Sequence, residues 1–176
     1  MYFTILEESL TIEINCNFWR CKNLLKFPIE RIVCLTEETV ETIYLLKEEK
    51  KIVGVTGYAV RPKIVRNEKM RVGSFTSARI DKIIDLKPDI VLTFSDVQAE
   101  LSKKLISEGL NVFCFNQRNV SEILSMIKIL GQLLNCSKKS NDLVAKLEHN
   151  LIRIKLKSKK YRYKPQIYFE EWDDPL

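Results

Sequence analysis

Short apolar runs alternate with amphipathic stretches along most of this chain. Runs typical of buried strands occupy residues 31–35, 51–56, 87–94 and 110–115, and residues 72–86 pass from a strand end through a polar loop into a helix. Stretches with helical spacing of apolar positions occupy residues 36–49, 95–109 and 119–134. Strands that alternate with helices predict right-handed βαβ units and a parallel sheet covered on both faces. The sequence therefore predicts a three-layer α/β fold.

Polar residues mark where the predicted helices begin and end. Thr36 is a suitable N-cap, and Glu37 follows it in the first turn, where the helix dipole favours anions. Residues 95–98 and 119–122 each fit a capping box, the second with Asn in place of the usual Ser or Thr. Gly109 is placed to end the helix that begins near residue 95.

The longest predicted helix covers residues 140–158. Its apolar stripe, spaced by 4, 4 and 3 residues, consists of Leu143, Leu147, Leu151 and Ile154. Residues 165–172 (PQIYFEEW) then have the pattern of a further strand, but the helical connection before it is longer than neighbouring strands of one sheet need. At the other end of the chain, residues 2–14 predict a small hairpin or an edge pair of strands.

The strand ends of the predicted sheet bring polar and aromatic residues to one edge. In parallel sheets the ligands collect at the carboxyl ends of the strands. The residues expected there are Thr36, Glu37, Gly57, Tyr58, Ser74, Phe75, Thr76, Ser95 and Asp96. This set is polar and aromatic without being reactive, which is typical of a binding cleft. Tyr58 and Phe75 also suit packing, but their loop positions favour ligand contact.

Motifs of common catalytic chemistry are absent from the sequence. There is no GxGxxG after the first strand, no GxxxxGK(S/T) and no GxSxG. The one histidine, His149, has no second ligand or nucleophile nearby in the pattern, and the five cysteines form no CxxC pair. Glu170 and Glu171, as neighbours on a strand, would point to opposite faces. We expect no catalytic and no metal-binding residues, and an enzyme on a related fold stays an alternative without a nameable base or nucleophile.

Basic residues are concentrated in one segment. The chain has 29 Lys and Arg against 23 Asp and Glu, and residues 153–164 hold seven basic residues and no acid. This is typical of a solvated helix end, whereas a nucleic-acid interface would spread its basic residues over a face with stacking aromatics. No N-terminal apolar run suits a signal peptide or a membrane span. As given, the chain is expected in the cytoplasm, with no nucleic-acid partner and not embedded in a membrane.

Several stretches resemble the N-terminal lobe of the cobalamin and iron-chelate (Fe/B12) periplasmic-binding family, the substrate-binding proteins of ABC importers. The matching stretches are residues 31–46, 51–62, 72–134 and 168–176, of which LKPDIVL (86–92) and the last stretch are the more specific. Within the family, the sequence is most similar to cobalamin-binding members. The resemblance implies two α/β lobes joined by one long rigid helix, with the ligand bound between the lobes.

The resemblance also implies a division of the chain on this class III periplasmic-binding-protein-like fold. Residues 31–139 would be the N-terminal lobe, residues 140–160 the connecting helix, and residues 165–176 the first strand of a truncated second lobe. Residues 1–30 would be an extension with a possible hairpin.

The site residues that the resemblance implies fall on both walls of the cleft. Thr36, Glu37, Tyr58, Ser74, Phe75 and Ser95 match positions that line the cleft in this family, and Glu171 and Trp172 match the facing wall. Glu100 matches the glutamate that docks onto an arginine of the membrane permease. The implied ligand is a corrinoid such as cobalamin or an iron chelate such as a ferric siderophore, with no covalent cofactor. The alternative is a cytosolic interaction or carrier protein on the same half-fold, which recruits a second chain or self-associates.

Overall fold

Five parallel strands form one sheet in the computed structural model, which describes residues 26–170. The strands are β1 (Ile32–Cys34), β2 (Ile52–Thr56), β3 (Arg71–Gly73), β4 (Ile90–Phe94) and β5 (Val112–Phe115). They lie in the order β3-β2-β1-β4-β5, and each neighbouring pair is parallel. The predicted α/β class and the parallel sheet are therefore confirmed.

Six α-helices of the described part connect and cover these strands. They are α1 (Glu37–Leu45), α2 (Val65–Glu68), α3 (Ile80–Asp85), α4 (Ala99–Ser107), α5 (Val120–Leu133) and α6 (Ser137–Ser158). Short 3-10 turns, Glu49–Lys51 and Asp96–Gln98, precede β2 and α4. The sequence predicted all of these helices except the single turn of α2.

The core lies on both faces of the sheet, as three layers require. Successive residues of a strand point to opposite faces. Ile32 and Cys34 of β1 are therefore packed on the side of α1, α5 and α6. Val33, between them, is packed on the other side with α3 and α4. All three are essentially without solvent exposure, so β1 is the centre of the core.

The order of the strands creates a topological switch point. From β1 the chain builds the sheet in one direction through β2 and β3, and then returns to add β4 and β5 on the other side of β1. The connections that leave β1 and β4 therefore diverge to opposite faces at the carboxyl edge of the sheet. In open α/β sheets this divergence opens a crevice in which ligands bind.

Of three predicted helix boundaries, one is confirmed and two differ in detail. Gly109 has φ 81° just after α4, which agrees with its predicted role as a helix stop. The side chain of Asn119 accepts the Glu122 N–H at 3.0 Å, but Glu122 accepts from the Arg118 N–H, one residue before the cap. Thr36 has N-cap backbone angles, yet its hydroxyl bonds the Thr39 hydroxyl at 2.9 Å and no helix N–H.

The long helix α6 is packed against the core along its first half only. Leu143 and Leu147 contact the core, whereas Leu151 and Ile154 of the same predicted stripe are 44% and 61% exposed. Residues 165–170 form no strand in the described part of the chain, where no strand lies beside them to pair with, so the predicted strand of a second lobe stays a prediction.

Some expectations lie outside the described residues. These are the hairpin at residues 2–14 and the last part of the predicted strand at residues 171 and 172. Within residues 26–170, none of the helices combines the length and the apolar character that a membrane crossing requires.

Candidate functional site

Hydrogen bonds join the connections at the carboxyl edge of the sheet into one surface. The Gly57 N–H donates to the Gly73 carbonyl at 2.7 Å, which joins the ends of β2 and β3. The Ser95 N–H donates to the Phe115 carbonyl at 2.7 Å, which joins the ends of β4 and β5. The structure therefore places the predicted residues Thr36, Tyr58, Ser74, Phe75 and Ser95 along one edge of a rigid sheet.

The aromatic candidates differ in exposure. Tyr58 is 57% exposed just after β2, and its N–H donates to the Thr56 hydroxyl at 3.3 Å. Phe75 follows β3 and is half-buried. Both residues are partly exposed where β2 and β3 end, so both are available to contact a ligand at this edge.

The turn that carries Phe75 depends on a glycine and two serines. The Ser74 N–H donates to the Ser77 carbonyl at 2.7 Å, and the two hydroxyls lie 2.8 Å apart. A Cβ at Gly73 would lie 2.4 Å from the Ser77 carbonyl oxygen, so only glycine permits this tight approach. The Ser74 hydroxyl therefore shapes this turn.

Thr36 and Ser95 shape the backbone at this edge, and their buried side chains offer little surface to a ligand. Thr36 is fully buried, and Glu37 beside it is half-buried. Ser95 is 3% exposed with φ 52°, a conformation that L-residues rarely adopt, and its hydroxyl accepts the Val97 N–H at 3.3 Å. The capping box predicted at residues 95–98 is therefore wrong in its bonding, because the side chain of Gln98 turns toward the sheet.

Gln98 is a central residue of the edge that sequence reasoning treated only as a helix cap. Its side chain is fully buried. The carboxamide accepts the Phe94 N–H at 2.9 Å and donates to the carbonyls of Leu35 at 3.0 Å and Phe75 at 2.5 Å. One side chain thus connects the segments that follow β1, β3 and β4. No local pattern in the sequence separates this role from that of a helix cap.

Arg118 is a second residue that sequence reasoning missed. Its guanidinium lies 2.7 Å from the Asp96 carboxylate and 5.7 Å from the centre of the Phe94 ring. The hydrogen bond from Arg118 holds the pKa of the Asp96 carboxyl below its ordinary value. A cation is therefore fixed over an aromatic ring beside the switch point. The signal was an arginine three residues after the fourth predicted strand.

Glu38 and Gln117 form a partly buried polar pair between the connections that follow β1 and β5. The Gln117 Nε2 lies 3.4 Å from the Glu38 Oε1, and the buried Gln117 Oε1 has no partner within residues 26–170. Burial raises the pKa of the Glu38 carboxyl above its ordinary value. The pair therefore has one polar oxygen without a donor and one charge that is poorly solvated.

The remaining predicted site residues lie apart from this group or outside the described residues. Glu100 is exposed in the first turn of α4. Glu171 and Trp172 are outside the described residues. A groove of about 210 Å³ lies between the end of β5 and α5, and it is lined by Phe115, Asn116, Gln117, Glu122, Ser125, Met126 and Ile129.

The chemistry of the described residues suits ligand binding. Among residues 26–170 no three His, Cys, Asp or Glu side chains are grouped to hold a metal ion. Burial raises the pKa of the Cys34 thiol to about 12, so this thiol is not a nucleophile at neutral pH. A crevice at a switch point, bordered by aromatic rings, amides and a cation, has the features of a ligand-binding site in an open α/β sheet.

Sequence comparison gives the family. The sequence pattern of the family described as periplasmic binding protein matches residues 32–175, and the chain belongs to that family. The prediction of a non-enzymatic protein is thereby confirmed, because the family consists of solute-binding proteins. Family members are usually periplasmic or extracellular, so the cytoplasmic location expected from the N-terminus stays a prediction.

Two relatives illustrate the match. The uncharacterized ABC transporter substrate-binding lipoprotein YvrC of Bacillus subtilis (strain 168) is 31% identical over 139 residues, which are 77% of this chain and 44% of that protein. The vitamin B12-binding protein of Vibrio cholerae is 30% identical over 107 residues, 60% of this chain and 38% of that protein. This chain therefore spans less than half the length of either relative.

Solved structures share the fold. A possible iron-binding (periplasmic solute-binding) protein from Staphylococcus epidermidis matches with a TM-score of 0.74 at 25% identity, over 84% of this chain and 58% of that chain. The periplasmic vitamin B12 binding protein BtuF of Vibrio cholerae matches with a TM-score of 0.67 at 22% identity, over 76% of this chain and 52% of that chain. The predicted periplasmic-binding-protein fold is confirmed, and these comparisons give no support to the alternative of an interaction or carrier protein.

Proposed function

We propose that this chain forms one wall of the ligand cleft of an ABC-importer substrate-binding protein. The observation that carries the proposal is the crevice between the ends of β1 and β4, with Tyr58 exposed, Phe75 half-buried and Arg118 fixed over Phe94 at the same edge. Aromatic faces with a few oriented polar groups bind large, partly apolar ligands without reacting with them.

The proposed ligand is a corrinoid such as cobalamin or an iron chelate such as a ferric siderophore. One relative that is 30% identical is named a vitamin B12-binding protein, and a structure at 25% identity is named a possible iron-binding protein. Both kinds of ligand are broad, rigid and rich in polar groups at their rim. Ligands of this size suit an open crevice bordered by aromatic rings better than they suit a small enclosed pocket.

A second wall is needed to enclose a ligand of this size. We place it in a second lobe that begins within residues 165–176, with Glu171 and Trp172 facing the first wall. The exposed apolar residues on the second half of α6, Leu151 and Ile154, support this arrangement because a second lobe would cover them. Residues 31–139 and 140–160 would then be the first lobe and the connecting helix.

A titration tests the proposed ligand class. Native protein purified from its source cell is titrated with cyanocobalamin, hemin and a ferric hydroxamate siderophore. Saturable binding of at least one probe, with a Kd on the order of micromolar or tighter, is expected because two walls bury a large ligand. No saturation with any probe would contradict the proposal.

Variants locate the binding surface. Tyr58→Ala and Phe75→Ala should each weaken binding about tenfold, as truncation of buried aromatic contacts does in other interfaces. The matched control is Phe27→Ala, because Phe27 is 71% exposed and precedes the opposite end of β1. Equal effects from all three variants would place the ligand elsewhere.

Glu100 is proposed as the contact with an ABC permease. Its carboxylate is exposed in the first turn of α4, where an arginine of a partner can reach it. Glu100→Arg should abolish stimulation of the reconstituted transporter's ATPase while leaving the Kd of the ligand within about twofold. Glu108→Arg, an equal charge change at the other end of the same helix, is the control. Cell fractionation with the native protein tests whether it acts in the cytoplasm or outside it.

A further inference from the structure

The hydrogen-bond ladder between β1 and β4 stops one step before its natural end. The register pairs Cys34 with Leu92, and the Leu35 N–H donates to the Leu92 carbonyl at 2.9 Å. Bonds in a parallel ladder are evenly spaced. The next bond of this ladder would run from the Phe94 N–H to the Leu35 carbonyl.

The side chain of Gln98 occupies the place of that bond. Its Oε1 accepts the Phe94 N–H at 2.9 Å, and its Nε2 donates to the Leu35 carbonyl at 3.0 Å. A carboxamide has the donor and the acceptor of a peptide group, so it satisfies both backbone partners. Because the amide stands between the strands, the ends of β1 and β4 are held apart at the switch point.

The second N–H of the same amide reaches a third segment. It donates to the Phe75 carbonyl at 2.5 Å. Since β2 lies between β3 and β1 in the sheet, no ladder bond can join the end of β3 to the end of β1 or β4. The Gln98 amide therefore supplies a connection across the edge that the backbone cannot make.

We propose that Gln98 is the positioning residue of the cleft. Its side chain holds the switch point open and fixes the turn of Phe75 beside the switch point. Its effect on ligand binding rests on the function proposed above, whereas its effect on the three segments does not. Only glutamine has both the length and the two donors with one acceptor that these contacts require. Asparagine is one methylene shorter, and glutamate lacks both donors when ionised.

Hydrogen exchange tests the positioning without any ligand. In Gln98→Glu the carboxylate faces two carbonyl oxygens, and in Gln98→Met an apolar side chain of similar volume makes none of the bonds. The amides of residues 74–77 and of Phe94 should exchange about tenfold faster or more in either variant, while α5 exchanges at the wild-type rate. If Gln98→Glu does not fold, the exchange rates of Gln98→Met provide the test.

Ser102→Ala is the matched control for a lost buried polar contact. The Ser102 hydroxyl is buried on α4 and donates to the Thr93 hydroxyl at 3.0 Å, away from the Phe75 turn. This variant should leave exchange in residues 74–77 unchanged. Unchanged exchange there in both Gln98 variants, or an equal rise in Ser102→Ala, would overturn the positioning role.

Ligand affinity provides the second measurement. With whichever of cyanocobalamin, hemin or ferric hydroxamate the wild type binds, Gln98→Met should raise Kd about tenfold, and Ser102→Ala should change it less than about twofold. Faster exchange with an unchanged Kd would overturn the role in binding. If the wild type binds none of the probes, the proposed function fails, and the exchange rates still decide whether Gln98 positions the three segments.

Discussion

Gly131 lies so close to Ser140 that a Cβ at position 131 would stand 1.9 Å from the Ser140 hydroxyl oxygen and 2.3 Å from its Cβ. Both residues are buried where α5 and α6 meet, Gly131 in the last turn of α5 and Ser140 in the first turn of α6. The missing side chain of Gly131 thus sets the distance between these helices. Since α6 is the proposed connection to a second lobe, this contact fixes the direction of that connection.

Gly131→Ala should destabilise the protein. Overpacking of this kind lowers the free energy of unfolding by about 1–3 kcal/mol, even though alanine is favoured over glycine by about 1 kcal/mol in a helix interior. Urea denaturation measures the difference. Adding Ser140→Gly removes the clashing atoms and should recover part of the loss. A Gly131→Ala variant that is more stable than wild type would show that the helices separate at no cost.

Asp89 explains the LKPDIVL stretch as a structural feature of the edge opposite the cleft. Its Oδ2 accepts the N–H groups of Glu30 and Arg31 at 2.9 Å each, where the chain enters β1. Arg31 in turn donates through Nη2 to the Leu86 carbonyl at 2.6 Å. This stretch, one of the two more specific parts of the resemblance, therefore aligns β1 with β4 at the edge opposite the proposed cleft.

Asp89→Ala should lower the free energy of unfolding by about 1–2 kcal/mol, because two backbone donors lose their charged acceptor. Binding of any probe should be unaffected, since Asp89 precedes β4 and the cleft follows it. Asp85→Ala, which removes an exposed carboxylate at the end of α3, is the control for chemical denaturation. An equal loss in both variants would assign the effect to net charge.

Glu38→Gln should stabilise the protein at neutral pH. Burial raises the folded-state pKa of Glu38 above the ordinary value of 4.5, so the neutral form is favoured by folding. That contribution is complete below the ordinary pKa and is lost as pH rises through the raised one. The neutral amide also offers an N–H to the unpartnered Gln117 Oε1.

Denaturation between pH 4 and pH 8 checks this sign. The advantage of Glu38→Gln over wild type should be present at pH 7 and should shrink as the pH falls toward about 4. Glu37→Gln removes the same charge from the same helical turn and is the control for the helix dipole. A larger advantage at pH 4 than at pH 7 would contradict the burial of a charged Glu38.

The alternation of strands and helices could be predicted because the core itself repeats along the sequence. The central strands β2, β1 and β4 are buried on two faces, and the helices that follow them show one apolar stripe. The direction of the strands was then enough to predict that Tyr58 and Phe75 lie at the carboxyl edge of the sheet. The strand predicted at residues 165–172 stays a prediction, because an extended apolar sequence forms a strand only beside a partner and no described strand lies beside residues 165–170.

The contacts of the cleft could not be predicted, because they join residues far apart in the sequence. Residues 95–98 have the local pattern of a capping box, but the Gln98 amide bonds Leu35, 63 positions away. Its orientation depends on where the ladder of β1 and β4 ends, which no local pattern encodes. Arg118 meets Asp96 for a similar reason, since the pair forms only when β5 lies beside β4.

Arg118→Gln should raise the pKa of Asp96 toward its ordinary value, because the hydrogen bond from Arg118 is the main cause of its depression. Carbon-13 NMR of the Asp96 carboxyl across a pH titration measures this shift directly. Arg66→Gln, which removes an exposed cation from α2, is the control. An Asp96 titration that is unchanged in Arg118→Gln would show that the pair does not persist in solution.

Arg118→Gln should also change which ligands bind tightly. Arg118 places a cation at the edge of the crevice, so anionic groups of a ligand gain from it and neutral ones gain little. Loss of the cation should weaken binding of hemin, which carries two carboxylates, by about tenfold, and of cyanocobalamin, which has no net charge, by less than about twofold. Isothermal titration at two salt concentrations checks the origin of the difference, because only the hemin affinity of the wild type should fall as salt screens the charge. Equal weakening of both probes would assign Arg118 to packing on Phe94.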